Sequence, residues 1–209
     1  MQDSILGVVL AGGRSTRMGT EKALVEFGGK PLIACMIDRL SRQVAAMAIS
    51  ANGDPRRFAR FELPVIADPP AYRDIGPLAG IAAGLALAEA GGHRLVLTVP
   101  CDAPFAPLDL ASRLSHAAAA NRAAAAVAEG PRGLEPLFAL WRSDLRLPLE
   151  QALERGARSP REFLAACNAF GLSFATTGEE DPFVNLNSPV QLATARARLA
   201  ARREVGAGP

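Results

Sequence analysis

The chain has 209 residues, a formal net charge of +2, an apolar fraction of 49% and a charged fraction of 21%. This length favours one domain with a well-filled core, and the composition excludes a disordered or fibrous chain. Acidic and basic residues are interspersed rather than grouped in blocks, which argues against binding to nucleic acid or to an anionic membrane.

The cysteines and the N-terminal sequence indicate a reducing compartment. Cys35, Cys101 and Cys167 form no CxxC pair, and an odd count predicts reduced thiols rather than a disulfide or a structural zinc site. The N-terminus lacks the features of a secretory signal, and no apolar run approaches membrane-spanning length. We therefore expect a cytoplasmic protein.

Short apolar runs alternate with segments of helical periodicity along the chain. Buried parallel strands are predicted at residues 5–11, 45–51, 63–68 and 94–100. The helices between them begin at Pro31 and Pro77, where proline fits a first helical turn. Later elements are strands through Val127, at 134–141 and at 170–174, and helices at 143–155, at 159–167 and after 185–189.

This alternation predicts an α/β fold, a Rossmann-like three-layer α/β/α sandwich with a mostly parallel central sheet. In such sheets, ligands bind beyond the carboxyl ends of the strands. We expect a single domain over residues 1–202 and a flexible tail over 203–209.

The loop after the first predicted strand combines glycines with cations. Gly12 and Gly13 follow the strand directly, where backbone N–H groups can turn towards an anion. Arg14, Arg17 and Lys22 add positive side chains suited to phosphate oxygens. Neither a GxxxxGK[ST] loop nor a GxGxxG motif occurs here. The loop is a candidate phosphate site, with an ordinary basic surface loop as the alternative.

A carboxylate follows the strand predicted at 94–100. Asp102 lies at the carboxyl end of this strand, where a bridging Mg²⁺ best explains a carboxylate among phosphates. The alternative is a turn-initiating aspartate before Pro104. Glycines 76, 80 and 84 recur every four residues, which is typical of close helix packing. Gly76, before a helix start, equally suits the approach of a base or phosphate.

With the opening loop, the glycine-rich segment and the aspartate after the 94–100 strand in this order, the sequence resembles the molybdenum cofactor guanylyltransferases, which are relatives of the sugar-phosphate nucleotidyltransferases. The resemblance covers most of the chain. It rests on "LAGGRSTRMGTEKAL" at 10–24, "NGD" at 52–54, "IAD" at 66–68, "DIGPLAGIAAGL" at 74–85, "VPCDAPF" at 99–105, "EPLFALW" at 135–141 and "FVNLNSP" at 183–189.

The resemblance implies a nucleotidyltransferase that moves GMP from GTP to the terminal phosphate of molybdopterin, or Mo-molybdopterin, and releases pyrophosphate with Mg²⁺ as cofactor. It implies nucleotide contacts at Leu10, Ala11, Gly12, Gly13, Lys22, Asn52, Asp68 and Asp102, with further contacts at Gly76 and Gly80. Asp102 is the expected metal ligand, and Arg17, Lys22 and Asp102 are the expected catalytic residues. Asn185 and Asn187 are placed on the pterin side or close to the metal. Candidate protein partners are molybdenum-insertion proteins and molybdoenzyme chaperones.

Three alternatives stay open. A sister group uses CTP and tends to read "LAAG", so the "LAGG" of this chain favours guanine. Another sugar- or polyol-phosphate nucleotidyltransferase is the second alternative, and a non-catalytic GTP-binding module for molybdoenzyme maturation is the third. For Asp68, recognition of guanine competes with capping of a turn before Pro69. His93 and His116 lie outside every motif, and neither belongs to a hydrolytic triad.

Overall fold

A computed structural model of the chain describes residues 4–12, 22–174 and 181–206. The strands within these residues are β1 (Ile5–Leu10), β2 (Glu26–Phe27), β3 (Lys30–Pro31), β4 (Ala46–Ser50), β5 (Val65–Ile66), β6 (Leu95–Pro100), β7 (Ala125–Gly130), β8 (Gly133–Arg142) and β9 (Phe170–Ser173). The α-helices are α1 (Leu32–Leu40), α2 (Pro77–Ala90), α3 (Leu110–Ala120), α4 (Arg146–Glu154), α5 (Pro160–Ala166) and α6 (Pro189–Gly206). Short 3₁₀ helices lie at Lys22–Leu24, Pro55–Phe61, Pro70–Tyr72 and Ser143–Leu145.

The centre of the molecule is a seven-stranded sheet in the order β5-β4-β1-β6-β8-β7-β9. β8 runs antiparallel to both of its neighbours, and every other pairing in this sheet is parallel. β8 is reversed because a tight hairpin between Gly130 and Gly133 joins it to β7, and so short a connection allows only antiparallel pairing. The prediction of a mostly parallel sheet is confirmed.

Helices cover both faces of the sheet and give two apolar cores. Leu6, Val8 and Leu10 of β1 face the core that holds α2, α4 and α5. Val9 points to the opposite core, which holds α1 and α3. Successive side chains of a strand point to opposite faces, so β1 contributes side chains to both cores. The three predicted layers are therefore present.

Two glycines set the distance between α2 and the sheet. A Cβ added at Gly80 would lie 2.5 Å from Ser50 Oγ, and one added at Gly84 would lie 3.0 Å from Val8 Cγ2. Larger side chains at these positions would push the helix away from β1 and β4. Close helix packing therefore accounts for the glycine spacing at 80 and 84.

Most predicted elements match the structure, and the differences are local. The strand expected at 63–68 shortens to β5, while α3 and the β2–β3 hairpin have no counterpart in the predictions. The single domain over 1–202 and the flexible tail over 203–209 stay predictions, although α6 continues as far as Gly206. Within the described part of the chain, no helix combines the length and apolarity that crossing a lipid bilayer requires.

Candidate active site

The carboxyl end of β1 lies between the carboxyl ends of β4 and β6. The backbone N–H of Ala11 donates to the carbonyl of Ser50 at 2.8 Å, and that of Cys101 donates to the carbonyl of Leu10 at 3.1 Å. The chain leaves β1 towards β4 on one side and returns to β6 on the other. Such a reversal of strand order opens a crevice at the carboxyl edge of a sheet, where ligands bind.

Three polar side chains meet at the end of β6. Lys22, in the 3₁₀ helix that follows the opening loop, donates from Nζ to Asp102 Oδ2 and to Asn187 Oδ1. The Lys22 and Asp102 side chains are only 17% and 10% exposed. The ion pair therefore lies in a partly dry site, where charges interact more strongly than in water. We call Lys22, Asp102 and Asn187 the lysine cluster.

The segment 181–187 crosses the sheet edge and ends at this cluster. The backbone N–H of Leu186 donates to the carbonyl of Asp102 at 2.9 Å. Upstream, the Phe183 ring lies 4.8 Å from that of Phe138 in β8, which fixes the segment to the sheet. Asn185 Oδ1 is buried, and no residue that the structure describes donates a hydrogen bond to it. A buried oxygen without a donor suits a cation or a ligand N–H group.

The start of α6 connects to the lysine cluster through its cap. Ser188 Oγ accepts from the backbone N–H of Gln191 at 3.2 Å, and Gln191 Oε1 accepts from the backbone N–H of Asn187 at 2.8 Å. These reciprocal bonds are a variant of the capping box. The sequence predictions did not include Gln191, although the Ser-x-x-Gln pattern at 188–191 was the signal that reveals it.

A second polar pair lies beyond β4. Asn52 Nδ2 donates to Asp68 Oδ2 at 2.6 Å, and the backbone N–H of Asp68 donates to Asn52 Oδ1 at 3.0 Å. Arg57 donates to the backbone carbonyl of Asn52. β4 and β6 flank β1, so the ends of these two strands are two inter-strand spacings, about 10 Å, apart, with this pair beyond β4 and the lysine cluster beyond β6. That separation suits the base and the phosphates of one nucleotide.

The glycines of the predicted site differ in what their positions require. Gly12 is exposed, its φ is not positive, and among the described residues the nearest atom to an added Cβ would be the Ser50 carbonyl oxygen at 4.0 Å. Gly76 precedes α2 with φ 107°, a conformation that favours glycine. Gly80 is required by packing, as described above. Gly13, Arg14 and Arg17 lie outside the described residues.

Three charged side chains lie around the hairpin at the end of β7. Arg132 Nη2 lies 3.0 Å from Asp181 Oδ2 and 3.7 Å from Glu135 Oε1. Burial raises the pKa of Glu135 and the nearby Asp181 charge raises it further, while Arg132 opposes both effects. This group belongs to the same sheet edge as the lysine cluster, because β7 runs parallel to β9 and shares the direction of β6.

Comparison with known proteins decides which family the chain represents. Residues 7–170 match the model of the MobA-like NTP transferase domain. A molybdenum cofactor guanylyltransferase from Cereibacter sphaeroides is 41% identical over 196 residues, covering 93% of this chain and 97% of the relative. One from Rhodobacter capsulatus is 44% identical over 195 residues, covering 93% and 96%. The chain belongs to the molybdenum cofactor guanylyltransferase family. The resemblance drawn from the sequence motifs is confirmed.

Solved structures of other nucleotidyltransferases share the fold of this guanylyltransferase family member. The crystal structure of molybdopterin-guanine dinucleotide biosynthesis protein A from Archaeoglobus fulgidus has a TM-score of 0.76 at 23% identity, covering 94% of this chain and 99% of that one. A nucleotidyl transferase from Methanothermobacter thermautotroptrophicus has a TM-score of 0.72 at 18% identity, covering 96% and 99%. The predicted α/β nucleotidyltransferase fold is confirmed.

The oxygen atoms of the candidate site fit a magnesium ion shared with phosphates. Among the described residues, no cluster of three or more histidine, cysteine, aspartate or glutamate side chains is placed to hold a metal. Asp102 supplies one buried carboxylate, and Asn185 Oδ1 is a buried oxygen in the segment that contacts Asp102. Mg²⁺ is commonly held by one or two carboxylates together with substrate phosphates and water, so few protein ligands are enough.

Proposed function

We propose that the crevice at the carboxyl edge of the sheet transfers GMP from GTP to the terminal phosphate of molybdopterin or Mo-molybdopterin, using Mg²⁺. The product is the guanine dinucleotide form of the molybdenum cofactor, and pyrophosphate leaves. One observation carries this proposal: Lys22, Asp102 and Asn187 meet at the end of β6, in a chain of this family.

The chemistry needs no general base. The second pKa of a phosphate monoester is about 6, so the attacking phosphate is largely dianionic at pH 7 and has no proton to lose. His93 lies at the opposite edge of the sheet from the crevice, at the amino ends of β6 and β1. There its Nδ1 is 2.6 Å from Ser4 Oγ. His116 is exposed on α3.

The task of the side chains is to neutralise and position anions. An oxygen of the molybdopterin phosphate attacks the α-phosphorus of GTP and forms a new P–O–P bond. The bond between the α-phosphorus and the α,β-bridging oxygen of GTP breaks, and that oxygen leaves with the electron pair as a terminal oxygen of pyrophosphate. Lys22 binds the β- and γ-phosphate oxygens, with Arg17 as its proposed partner, and so stabilises the leaving group. Asp102 would hold Mg²⁺ together with the substrate phosphates, and the bound ion would supply charge neutralisation for the transferred phosphoryl group.

Asp68 and Asn52 fit the recognition of guanine. Guanine presents an N1–H and an amino group as donors, and a carboxylate is a matching acceptor for both. Asn52 holds Asp68 through two hydrogen bonds, so the carboxylate is oriented before the base arrives. This arrangement supports the guanine role of Asp68 over a turn cap before Pro69. The backbone from Leu10 to Gly12 then lies between the base and the phosphates.

Gly12 supports the placement of a ligand at the end of β1. Neither the backbone conformation of Gly12 nor the atoms of the described residues around it require glycine at this position. Close approach of a nucleotide to the backbone is a remaining reason for the absence of a side chain. Gly76 and Gly80 have sufficient explanations in backbone geometry and packing, so their nucleotide contacts rest on the family resemblance alone.

A pyrophosphate-release assay tests the function. Purified protein, Mg²⁺ and molybdopterin are combined with GTP, CTP or UTP in turn, and we expect release with GTP. Release with CTP in preference to GTP identifies the cytidylyl-transferring alternative. Release that needs a sugar or polyol phosphate in place of molybdopterin identifies the second alternative. GTP binding by calorimetry without any pyrophosphate release identifies the non-catalytic module. A cytoplasmic location and docking to molybdenum-insertion proteins or molybdoenzyme chaperones follow as predictions from the same role.

A further inference from the structure

We infer that Gln191 is a positioning residue that places Lys22 by way of Asn187. Gln191 lies on α6, contacts neither Lys22 nor Asp102 in a hydrogen bond that the structure describes, and reaches the lysine cluster only through the backbone of Asn187. The inference rests on the proposed role of Lys22 at the phosphates, and it extends that role to a side chain outside the crevice motifs.

The first step is that α6 offers a fixed base for the cap. Leu192 and Ala195 pack in one apolar cluster with Phe27, Leu32 and Leu186. Leu186 immediately precedes Asn187, and Leu192 immediately follows Gln191. Apolar contacts therefore hold both ends of the capping box against the same part of the core, as a hydrophobic staple does at other helix starts.

The second step is that packing does not hold Asn187. Asn187 is exposed, so its side chain keeps its rotational freedom unless hydrogen bonds restrict it. Its backbone N–H donates to Gln191 Oε1 at 2.8 Å and to the carbonyl of Asn185 at 3.1 Å, and Ser188 Oγ lies 3.3 Å from the same Gln191 oxygen. The Gln191 amide therefore fixes the backbone from which the Asn187 oxygen reaches Lys22.

The third step is that Lys22 needs such an anchor. A lysine ammonium is a point charge on a flexible four-carbon stem, so its position depends on the acceptors around it. Asp102 holds the ammonium at its carboxylate. Asn187 adds a neutral acceptor on the side of the 181–187 segment, and this added acceptor restricts the position of the ammonium further. Misplacement of a catalytic group by even a small distance lowers turnover.

The lysine content of the chain makes the inference measurable. The sequence contains two lysines, Lys22 and Lys30. Lys30 pairs with Asp38 on the surface, where the two side chains are 45% and 62% exposed. Brief acetylation of the free protein followed by peptide mass spectrometry gives the labelling rate of Lys22 relative to Lys30, so each variant carries its own reference.

The decisive pair of variants is Gln191→Met and Gln191→Glu. Methionine keeps the side-chain length and helix propensity but removes the acceptor, while glutamate keeps an acceptor oxygen for the Asn187 N–H. Asn187→Ala removes the hydrogen bond between Asn187 and Lys22 itself, so it gives the largest change in the labelling ratio that loss of this bond can cause. Ser159→Ala removes an equivalent cap from α5, where Ser159 Oγ accepts from Glu162 N, and controls for loss of a cap elsewhere.

We expect Gln191→Met to raise the Lys22-to-Lys30 labelling ratio about fivefold, close to the effect of Asn187→Ala, as the loss of one hydrogen bond predicts. Gln191→Glu and Ser159→Ala should leave the ratio near that of the wild type. In the pyrophosphate assay, kcat should fall about tenfold in Gln191→Met with a smaller change in the KM for GTP, and Gln191→Glu should restore it.

Equal labelling ratios in Gln191→Met and Ser159→Ala would overturn the inference. Loss of kcat in both Gln191→Met and Gln191→Glu, with matching losses of thermal stability, would also overturn it, because a purely structural role predicts that pattern. The labelling arm requires no substrate. An inactive wild-type protein would therefore refute the proposed function, while the labelling ratios would still decide the inference about Gln191.

Discussion

Removal of the charges of Lys22 and Asp102, singly and together, tests whether the interaction between these two side chains stabilises the folded protein. The perturbation is a double-mutant cycle with Lys22→Met and Asp102→Asn. Both side chains are more than four-fifths buried, and a hydrogen bond to a charged group contributes about 1.5–3 kcal/mol. Each single variant also leaves the other charge partly buried without its counter-ion, so each should lower the free energy of unfolding by about 2 kcal/mol.

The double variant should recover part of that loss, because neither charge is then left without the other. We expect a coupling free energy of about 1.5–3 kcal/mol. The assay is urea unfolding of the free protein in chelator, which excludes effects of nucleotide and metal. The same cycle on Lys30 and Asp38, an exposed pair, is the matched control and should give about 0–1 kcal/mol. Additivity within about 0.5 kcal/mol at Lys22 and Asp102 would refute the reasoning.

Three further changes probe the crevice and its support. Gly12→Ala should leave the melting temperature unchanged, because a Cβ fits there, but weaken GTP binding in calorimetry; unchanged affinity would remove Gly12 from the nucleotide contacts. Gly80→Ala should lower the free energy of unfolding by about 1–2 kcal/mol, since the clash with Ser50 exceeds the gain in helix propensity. Ala86→Gly, at an exposed position of α2, is its propensity control and should cost about 1 kcal/mol. Glu135→Gln should gain stability relative to the wild type as the pH rises from about 4 to about 7. The raised pKa means that the native carboxyl binds its proton more tightly than the unfolded one, so the contribution of Glu135 to wild-type stability falls over this range. A constant difference in parallel urea titrations would contradict that sign.

The central strands and the order of the motifs could be predicted because they depend on local pattern. β1 and β6 are largely apolar runs, and the structure explains that pattern because the two strands pair with each other inside the sheet and are almost fully buried. α3 was missed because alanine is small and weakly apolar, so the run at 117–120 gives little contrast between a buried and an exposed face. The β2–β3 hairpin has two residues in each strand, too few to show alternation.

The candidate site divides in a similar way. Asp102 could be placed from sequence because a carboxylate directly after a buried strand has a defined position at the sheet edge. The contact between Lys22 and Asn187 could not be predicted, because Asn187 lies 165 residues away and reaches the site through the path of the 181–187 segment. The contact between Asn52 and Asp68 depends likewise on the pairing of β4 with β5, which local periodicity does not encode.

The reversed direction of β8 bears on the design of chimaeric enzymes. It separates the sheet into a parallel block of β5, β4, β1 and β6 and a second block of β7 and β9. Asn52, Asp68 and Asp102 follow strands of the first block, whereas the segment 181–187 packs against β8 on the side of the second. Under the proposed roles of these residues, we therefore expect that exchange of the second block between relatives, with β8 kept as a common boundary, changes the phosphate acceptor and retains the nucleotide.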